Sequence, residues 1–232
     1  MEEGGSVPTD KNPSQDIKLL VKAGQIPGRF NRDTVFAEAE IPHNVHIHAK
    51  TVDLESILKS QPELKKLTGS LGETTLASSF PVVSIVKGMT FILVNLPEVA
   101  GHLAALKATH LEVPNLSSVV DEDWETDLLA PFYYVVVEAP RPGFTKLRTR
   151  MIEEGCGEDP ATGSASSALA AYLALQTGGG GSTHTFEMEQ GVEMGRRSRI
   201  SVSVTLDEAG TSIQRVVLGG TSVVVMHGII DV

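Results

Sequence analysis

Cysteine and long apolar stretches are almost absent from this chain. Its 232 residues include a single cysteine, Cys156, so no disulfide can form within the chain, and we expect a reducing, cytoplasmic location. No apolar run approaches the roughly 20 residues of a membrane-spanning helix. No basic segment followed by an apolar core, as in a secretory signal, opens the sequence. We therefore expect neither membrane insertion nor secretion.

Basic residues are also scarce. The chain has 19 lysine and arginine residues against 29 aspartate and glutamate residues, which gives a formal net charge of -10. Nucleic-acid binding needs a clustered basic face, so we expect no nucleic-acid partner. The short basic cluster at residues 196–199 fits a solvated turn or a salt-bridging edge. A hydrophobic fraction of 41% is typical of a globular protein, and the length suits one large domain or two small lobes.

The most informative segment is residues 155–165, with the sequence GCGEDPATGSA, and the apolar stretch behind it. Asp159 has the residue type of a helix N-cap and Pro160 suits the first helical position, so the pattern predicts a helix over residues 160–175. Alanine and leucine dominate this helix, which makes it apolar on nearly all sides. A helix without a polar face belongs in the protein interior.

Two interpretations of the entrance to this helix stay open. The unpaired amides and the helix dipole at Thr162, Gly163 and Ser164 would suit an anion, and a carboxylate ligand fits. Alternatively, Asp159 and Thr162 only cap the helix, while Gly163 and Ala165 only allow close packing. The residue types alone do not separate these interpretations.

Further segments match one family in the same order. They are LRTRM at residues 147–151, AYL at 171–173 and EQGVEMGR at 189–196, with a looser match at IKLLVKAG, residues 17–24. Together with residues 155–165 they resemble the phenazine-biosynthesis PhzF-like family, which shares its fold with diaminopimelate epimerase and proline racemase. Ordered matches over most of a chain are more specific than a single glycine motif.

The resemblance implies an α+β protein with the diaminopimelate epimerase-like fold, in which a curled, mostly antiparallel sheet surrounds a central apolar helix in each of two pseudo-symmetric lobes. It also implies an isomerase or epimerase, commonly a homodimer, that uses no metal or organic cofactor. Such an enzyme moves a proton on a small carboxylated metabolite, in some members within secondary metabolism.

The resemblance also assigns site residues. The family's cleft aspartate and serine fall on Asp159 and Ser164, so we expect Asp159, Thr162, Gly163 and Ser164 to bind substrate, with Asp159 as the catalytic candidate. Gly88, in the tight connection at residues 87–89, is a further substrate-binding candidate. Alternatively, Gly88 only provides a positive φ angle.

Two family segments do not occur in the sequence. The family's catalytic glutamate follows an early Gly-Asn-Pro segment, and a Gly-His-Pro-Thr segment opens the first-lobe helix, but neither string is present. We therefore expect an incomplete first lobe. Three explanations stay open: an incomplete gene model, a non-catalytic binding or scaffold protein that has lost the reaction, or a variant with another base. An unfilled first-lobe sheet would expose apolar surface, so self-association is expected.

Histidine and cysteine offer other chemistry. His43, His46 and His48 bring imidazoles together, and the last two would share one face of a strand. Paired imidazoles can bind zinc, but a catalytic zinc site needs three protein ligands, and no obvious third ligand follows at suitable spacing. We therefore expect no metal, and hydrogen-bonded or solvated histidines. Cys156 is either an activated thiol at the helix entrance or a small side chain packed in a turn.

The predicted organisation is a disordered tail at residues 1–15, a remnant of the N-terminal lobe at 16–78 and a C-terminal lobe at 79–232, whose last strand can cross to the first lobe. Residues 52–67 predict a helix broken at Pro62, and residues 99–108 predict a short helix. A turn region is expected around Gly24, Pro27 and Gly28. The predicted strands are residues 17–21, 35–41, 82–86, 90–96, 132–138, 200–206, 212–218 and 221–226.

Overall fold

The computed structural model describes residues 13–22, 24–70, 76–97, 101–107, 119–124, 126–153 and 157–222. Within these residues the chain forms twelve strands and four helices. The strands are β1 (Ser14–Val21), β2 (Gly24–Asn31), β3 (Phe36–Glu40), β4 (His46–Asp53), β5 (Ser79–Val86), β6 (Gly88–Asn95), β7 (Thr126–Arg141), β8 (Phe144–Glu153), β9 (Gly157–Asp159), β10 (Thr183–Gln190), β11 (Ser198–Leu206) and β12 (Ile213–Thr221). The helices are α1 (Leu54–Ser60), α2 (Pro62–Ser70), α3 (His102–Ala105) and α4 (Gly163–Thr177).

All the described strands belong to one mixed sheet. Eleven of them follow the order β1-β2-β3-β12-β11-β10-β8-β7-β6-β5-β4, and β9 pairs with β8 off this path. Neighbouring strands are antiparallel except for β6 with β7 and β8 with β10. The N-terminal strands flank the sheet on both sides, because β3 pairs with β12 and β4 pairs with β5.

Helix α4 packs against one face of this sheet and is buried there. Its buried positions are Ala165, Ser166, Ser167, Ala168, Leu169, Ala170, Ala171 and Ala174. Phe91, Phe132 and Phe186 from three strands pack in the same cluster. Alanine favours the helical conformation and its small side chain lets strands approach closely. The predicted buried central helix is confirmed.

A second apolar cluster lies on the other face of β5, β6 and β7, beneath the N-terminal helices. Val82, Ile92 and Tyr133 of these strands pack there with Ile57 of α1 and Leu64 of α2. Successive strand residues face the two clusters in turn. Because both faces are buried, these strands are apolar nearly throughout instead of alternating with polar residues.

The linker at residues 41–45, between β3 and β4, closes the sheet around α4. The N–H of Ile41 donates to the carbonyl of Val216 in β12 at 3.0 Å. The N–H of Asn44 donates to the carbonyl of Ile85 in β5 at 2.8 Å. The linker thereby joins strands that are far apart in the sheet order, so the sheet curls around the helix.

Most of the predicted elements are confirmed. The break at Pro62 separates α1 from α2, and the strands at residues 17–21, 82–86, 90–96 and 200–206 lie within or close to the observed bounds. The strand predicted at 35–41 is β3, the one at 132–138 is part of the longer β7, and the one at 212–218 begins β12. The short helix at 99–108 is observed at His102–Ala105. The strand predicted at 221–226 lies mostly outside the described residues.

The turn predicted around Gly24, Pro27 and Gly28 is wrong, because all three residues belong to β2. Pro27 opposes Lys18 of β1, whereas β2 pairs with β3 only from Gly28 onward. The proline therefore lies where β2 has a single partner strand. A residue without an N–H is tolerated at such a position.

The expected boundary between an N-terminal lobe at residues 16–78 and a C-terminal lobe at 79–232 separates β4 from β5, which are paired strands of the same sheet. Residues 1–12 of the expected tail lie outside the described residues, and β1 begins at Ser14. β5 begins at Ser79, where the C-terminal lobe was expected to start, and pairs there with Asp53 of β4. Among the described parts of the chain, no helix has both the length and the apolarity required to cross a membrane.

Candidate functional site

Asp159 is placed by β9, which pairs with β8 and ends at this residue. In that pairing Asp159 opposes Met151, a buried residue of the main core. Oδ1 of Asp159 accepts a hydrogen bond from the N–H of Ala161 at 3.1 Å, and Oδ2 accepts one from the Thr162 hydroxyl at 2.7 Å. The carboxylate therefore stabilises the turn between β9 and α4.

The structure corrects the predicted start of the helix. Asp159 is not the N-cap, and Pro160 is not the first helical residue. α4 begins at Gly163 after Thr162, whose side chain makes no capping hydrogen bond. The Thr162 hydroxyl donates to Asp159 instead. Aspartate side chains often bond to nearby backbone groups in turns, which competes with helix initiation, and here the turn forms in place of the expected cap.

Gln190, the last residue of β10, holds this turn from the neighbouring strand. Its buried Oε1 accepts a hydrogen bond from the N–H of Thr162 at 3.1 Å. Its Nε2 donates to the Asp159 carbonyl and to the Thr162 hydroxyl oxygen, both at 2.8 Å. Thr162 thus uses its N–H and its hydroxyl within the protein. Gln190 was not identified as a site residue from the sequence, although it lies in the EQGVEMGR segment.

The first turn of α4 leaves backbone donors available. Among the described residues, the N–H groups of Gly163, Ser164 and Ala165 have no hydrogen-bond acceptor. Ser166 is the first to donate in the helical pattern, to the Thr162 carbonyl at 3.0 Å. Gly163 and Ser164 are half-buried, whereas Ala165 is fully buried, so only the first two amides are accessible to a ligand. Free donors at a helix N-terminus, where the helix dipole is positive, suit an anion.

Close packing accounts for Gly163. A Cβ atom at this position would lie 2.8 Å from Cδ2 of Leu218 in β12. The glycine therefore lets β12 approach the helix entrance. The geometry thus supports the close-packing role of Gly163 and also leaves its N–H free for an anion, whereas the expected capping by Asp159 and Thr162 is not observed.

The turn after β10 packs against the motif. Gly191 has a φ angle of 73°, and a Cβ atom there would lie 2.5 Å from the Arg196 carbonyl oxygen and 3.0 Å from the Pro160 carbonyl oxygen. Glu193 in this turn accepts a hydrogen bond from Arg148 through Oε1. Its buried Oε2 has no partner among the described residues. The turn that packs against Pro160 therefore also carries a buried carboxylate, that of Glu193.

Comparison with known proteins identifies the family. The family model for PhzC-PhzF, described as phenazine biosynthesis-like protein, matches residues 9–228. The chain belongs to this family. No curated protein sequence matches the chain.

Two solved structures resemble the fold of this PhzF-like chain. One is the phenazine biosynthesis protein of the PhzF family from Bacillus anthracis, at 20% identity and a TM-score of 0.54, covering 89% of this chain. The other is a predicted epimerase from Pseudomonas aeruginosa, at 22% identity and a TM-score of 0.52, covering 92%. The chain spans 65% of the length of each. The expected α+β, diaminopimelate epimerase-like fold is confirmed.

The other predicted site residues lie apart from the motif's hydrogen bonds. Gly88 is the first residue of β6 and has a φ angle of 88°, so the turn itself requires a glycine there. Among the described residues, no hydrogen bond joins Gly88 to Asp159, Thr162, Gly163 or Ser164. Cys156 lies outside the described residues.

The histidines of residues 43–48 separate into two groups. His43 lies near the carbonyls of Ile41 and Ile213, at 3.2 and 3.3 Å. The predicted shared strand face of His46 and His48 is confirmed, with ring centroids 4.7 Å apart. Desolvation by burial, and then the neighbouring His46, lowers the pKa of His48. The sequence did not point to Asp121, which lies 2.8 Å from His46.

A cavity of about 570 Å³ lies elsewhere, on a face lined by β7, β8, β10, β11 and β12. Lys146, Arg148 and Arg199 line it together with Glu138 and other acidic side chains. The two charge signs are balanced, and Lys146 pairs with Glu138 at 2.9 Å. Neither Asp159 nor the residues at the start of α4 contribute to the lining. We therefore place the candidate site at the α4 entrance.

Proposed function

We propose that the chain is an isomerase or epimerase-type protein that transfers a proton on a small carboxylated metabolite, without an organic cofactor. The observation that carries this proposal is the pair of free, half-buried amides at Gly163 and Ser164, close to the carboxylate of Asp159. Membership in the phenazine biosynthesis-like family supports it. A role in secondary metabolism belongs to the same proposal.

In this proposal the substrate carboxylate binds at the start of α4. The N–H groups of Gly163 and Ser164, which are half-buried, and the Ser164 hydroxyl donate hydrogen bonds to it. Thr162 does not donate its hydroxyl to the substrate, because that group already bonds to Asp159. Thr162 and Gln190 instead hold the turn that carries the site.

Asp159 is the proposed proton acceptor. Each of its carboxylate oxygens accepts one hydrogen bond from the turn. A carboxylate oxygen has two lone pairs, so one on each oxygen stays available for a substrate proton. The bonds from Ala161 and Thr162 also fix the carboxylate in place, which general base catalysis needs. Gly88, at the start of β6, remains a proposed substrate contact.

Solvent isotope exchange tests the proposal. The full chain is incubated in deuterated water with a panel of amino, hydroxy and unsaturated carboxylic acids, and deuterium incorporation is followed by NMR. We expect exchange with at least one acid, its loss in Asp159→Asn, and binding weakened about 10-fold or more in Ser164→Ala because a charged hydrogen bond is lost. Exchange that persists in Asp159→Asn would contradict the assigned base.

A non-catalytic binding protein is the second candidate. The observation that favours it is the absence of the Gly-Asn-Pro and Gly-His-Pro-Thr strings from the 232 residues. Within these 232 residues, no segment matches the one that carries the family's glutamate. A carboxylate that binds at the α4 entrance, with affinity reduced in Ser164→Ala but without any deuterium incorporation, supports this candidate over the enzyme.

We further propose that the chain forms a homodimer in the cytoplasm. Three apolar side chains at the end of β1 are exposed, with Leu19 at 45%, Leu20 at 78% and Val21 at 47%. Exposed apolar surface at a sheet edge is commonly covered by a partner. Light scattering tests this, since a dimer that dissociates in Leu20→Lys supports it and a monomer at all concentrations does not. The single cysteine supports a reducing location.

A further inference from the structure

We propose that His46, His48 and Asp121 form a binding site for one divalent transition-metal ion, with Zn²⁺ as the expected ion. These side chains offer two imidazole nitrogens and one carboxylate oxygen, all within 4.8 Å of one another. The histidines lie on β4, and Asp121 lies in residues 119–124, ahead of β7. Two imidazoles and a carboxylate are a common donor set for zinc with an open fourth position. The third ligand that the sequence did not indicate is thus supplied by the fold.

The distances suit a tetrahedral ion. Nε2 of His46 lies 2.8 Å from Oδ2 of Asp121, and Nδ1 of His48 lies 3.9 Å from the same oxygen. Zinc bonds of about 2.0–2.2 Å at tetrahedral angles separate ligand atoms by ~3.3 Å. The two observed separations lie on either side of this value. Side-chain shifts of well under ~1 Å therefore bring the carboxylate oxygen to a suitable distance from each imidazole.

His48 is oriented by a chain of hydrogen bonds behind its ring. Its Nδ1 accepts a hydrogen bond from the N–H of Asp121 at 3.0 Å, so the ring proton belongs on Nε2. Nε2 then donates to Oγ of Ser84 at 2.9 Å, and that oxygen lies 2.6 Å from Oγ1 of Thr90. Metal-binding histidines commonly donate their second ring N–H in this way, which fixes the tautomer. An ion bound to Nδ1 would replace the Asp121 N–H as its partner, so binding requires the backbone at Asp121 to move as well as the side chains.

His46 and Asp121 are also held in position. The ring of His46 stacks on Trp124 with centroids 4.3 Å apart and an interplanar angle of 10°. The N–H of Ala49 lies 3.2 Å from both carboxylate oxygens of Asp121. The ring and the carboxylate are therefore oriented before any ion binds, which lowers the entropy cost of binding.

An irregularity in β4 creates the room for this arrangement. The pairing of β4 with β5 is regular at His46 and Ile47 and resumes at Thr51, with His48 between them. Bulges release backbone groups from the ladder and redirect side chains, and they are frequent next to functional sites. Here the released N–H of Ala49 bonds to Asp121.

The exposure of the three ligands suits an ion at the edge of the core. The His48 side chain is 0% exposed, whereas those of His46 and Asp121 are 31% and 28% exposed. The buried imidazole anchors the ion and the other two ligands leave a path from solvent. A water molecule can then take the fourth position. The ion would tie residues 119–124 to β4.

The intrinsic fluorescence of the chain gives a direct test. Trp124 is the only tryptophan and stacks on His46. The full chain, cleared of metal with a chelator, is titrated with Zn²⁺ and in parallel with Co²⁺. We expect a saturable fluorescence change at one equivalent of Zn²⁺, the visible absorption of tetrahedral Co²⁺, and a thermal midpoint that rises with Zn²⁺.

Variants separate this site from zinc bound elsewhere, with affinities measured by calorimetry. We expect Zn²⁺ affinity to fall more than about 100-fold in His46→Ala and Asp121→Asn, and about 10–100-fold in Ser84→Ala, which removes the partner of His48. His43→Gln is the matched control, because the His43 ring lies against the carbonyls of Ile41 and Ile213, outside the cluster.

Three results would overturn the proposal. The first is the absence of saturable binding by the folded wild-type chain, which would leave a hydrogen-bonded cluster only. The second is undiminished binding by both His46→Ala and Asp121→Asn. The third is an equal loss of binding in His43→Gln. His46 and Asp121 are partly exposed, so their variants should fold, and matching circular dichroism spectra without metal confirm that they do.

Discussion

Arg150 and Glu158 form a buried ion pair with two hydrogen bonds that joins β8 to β9. Nε of Arg150 donates to Oε1 of Glu158 at 2.9 Å, and Nη2 donates to Oε2 at 2.5 Å. Nη1 donates to the carbonyls of Leu103 and Leu106, at 2.7 and 2.9 Å. The two side chains are 5% and 6% exposed. The pair therefore fixes the residue that precedes Asp159 and ties it to α3.

Loss of one partner of this pair should be costly. In Arg150→Met the carboxylate of Glu158 stays buried without its cation, and we expect the free energy of unfolding to fall by about 3–5 kcal/mol. Urea denaturation followed by circular dichroism measures this. The double variant Arg150→Met with Glu158→Leu should regain much of the loss, because neither charge is then buried alone.

An exposed ion pair provides the control. Lys59 and Glu55 pair at 2.9 Å on α1, with side chains 69% and 77% exposed. We expect Lys59→Ala to leave the free energy of unfolding nearly unchanged, since solvent screens such pairs. If Arg150→Met costs no more than Lys59→Ala, the buried pair does not hold β9 in place.

Gln190 should prove essential for the turn at the site. Gln190→Ala leaves the buried Thr162 N–H and the Asp159 carbonyl without their partner, and we expect a loss of about 2–3 kcal/mol. Urea denaturation measures the loss, and hydrogen exchange of the Thr162 amide should accelerate. Glu189→Gln is the control: Glu189 precedes Gln190 on the opposite face and makes an exposed ion pair with Arg197, so its loss should cost under about 1 kcal/mol. An unchanged exchange rate in Gln190→Ala would contradict the role of Gln190.

Three glycines should respond differently to alanine. At Gly191 the φ angle is 73° and a Cβ atom would lie 2.5 Å from a backbone oxygen, so both strain and a clash arise. At Gly178 the φ angle is 71° with no atom within 4 Å, so only strain arises. At Gly163 the clash is with the end of the flexible Leu218 side chain, 2.8 Å away. We expect losses above ~2 kcal/mol at Gly191, where strain and clash combine, about 1–3 kcal/mol at Gly178 and under ~1 kcal/mol at Gly163.

Thermal or urea unfolding of the three alanine variants measures this order. Gly163→Ala also tests the site, because its added methyl group lies at the α4 entrance. It should weaken carboxylate binding more than Gly178→Ala, a variant at the other end of the helix. Equal effects of all three variants on stability would show that their backbone environments do not differ as described.

The buried helix and most strands could be predicted, because their signals are local. An alanine-rich helix without a polar face, or a β-branched run such as residues 82–86, carries its own pattern in sequence. β2 was missed for a different reason: Pro27 and two glycines predict a turn, but pairing with β1 holds these residues extended, and β3 adds a second partner only from Gly28 onward. β8 and β10 were not predicted either, and they form a parallel pair in the interior of the sheet, a contact between segments distant in sequence.

The candidate site could likewise be predicted where it depends on neighbouring residues, but not where it depends on residues distant in sequence. The residue types at positions 159–164 indicated a helix entrance, but Asp159 and Thr162 bond to each other instead of capping α4 in the usual way. That choice depends on Gln190, which lies 28 residues beyond Thr162. Asp121 likewise reaches His46 across 75 residues. Spacing along the chain does not predict either contact, because in each pair a strand residue meets a loop residue from a distant part of the chain.

Asp53 should make stability depend on pH in the acid range. It caps α1, and its Oδ1 accepts a hydrogen bond from the N–H of Ser56 at 2.7 Å. That hydrogen bond is the main reason that the pKa of Asp53 is lowered from its usual value of 3.8. A carboxyl whose pKa is lower in the folded state stabilises the protein above the unfolded pKa, and this contribution disappears as the pH falls through the folded pKa.

Asp53→Ala should therefore cost about 1 kcal/mol near neutral pH, the typical value for an N-cap. As the pH falls below 3.8 the wild-type carboxyl takes up a proton, so the difference between wild type and variant should narrow. Urea midpoints of both proteins across this range measure the difference. Asp16→Ala serves as the control, because Asp16 is 87% exposed and pairs only with Arg29 in the described residues, at 3.3 Å, outside any helix. A difference for Asp53→Ala that stays constant with pH would mean that the cap does not depend on the charge of its carboxylate.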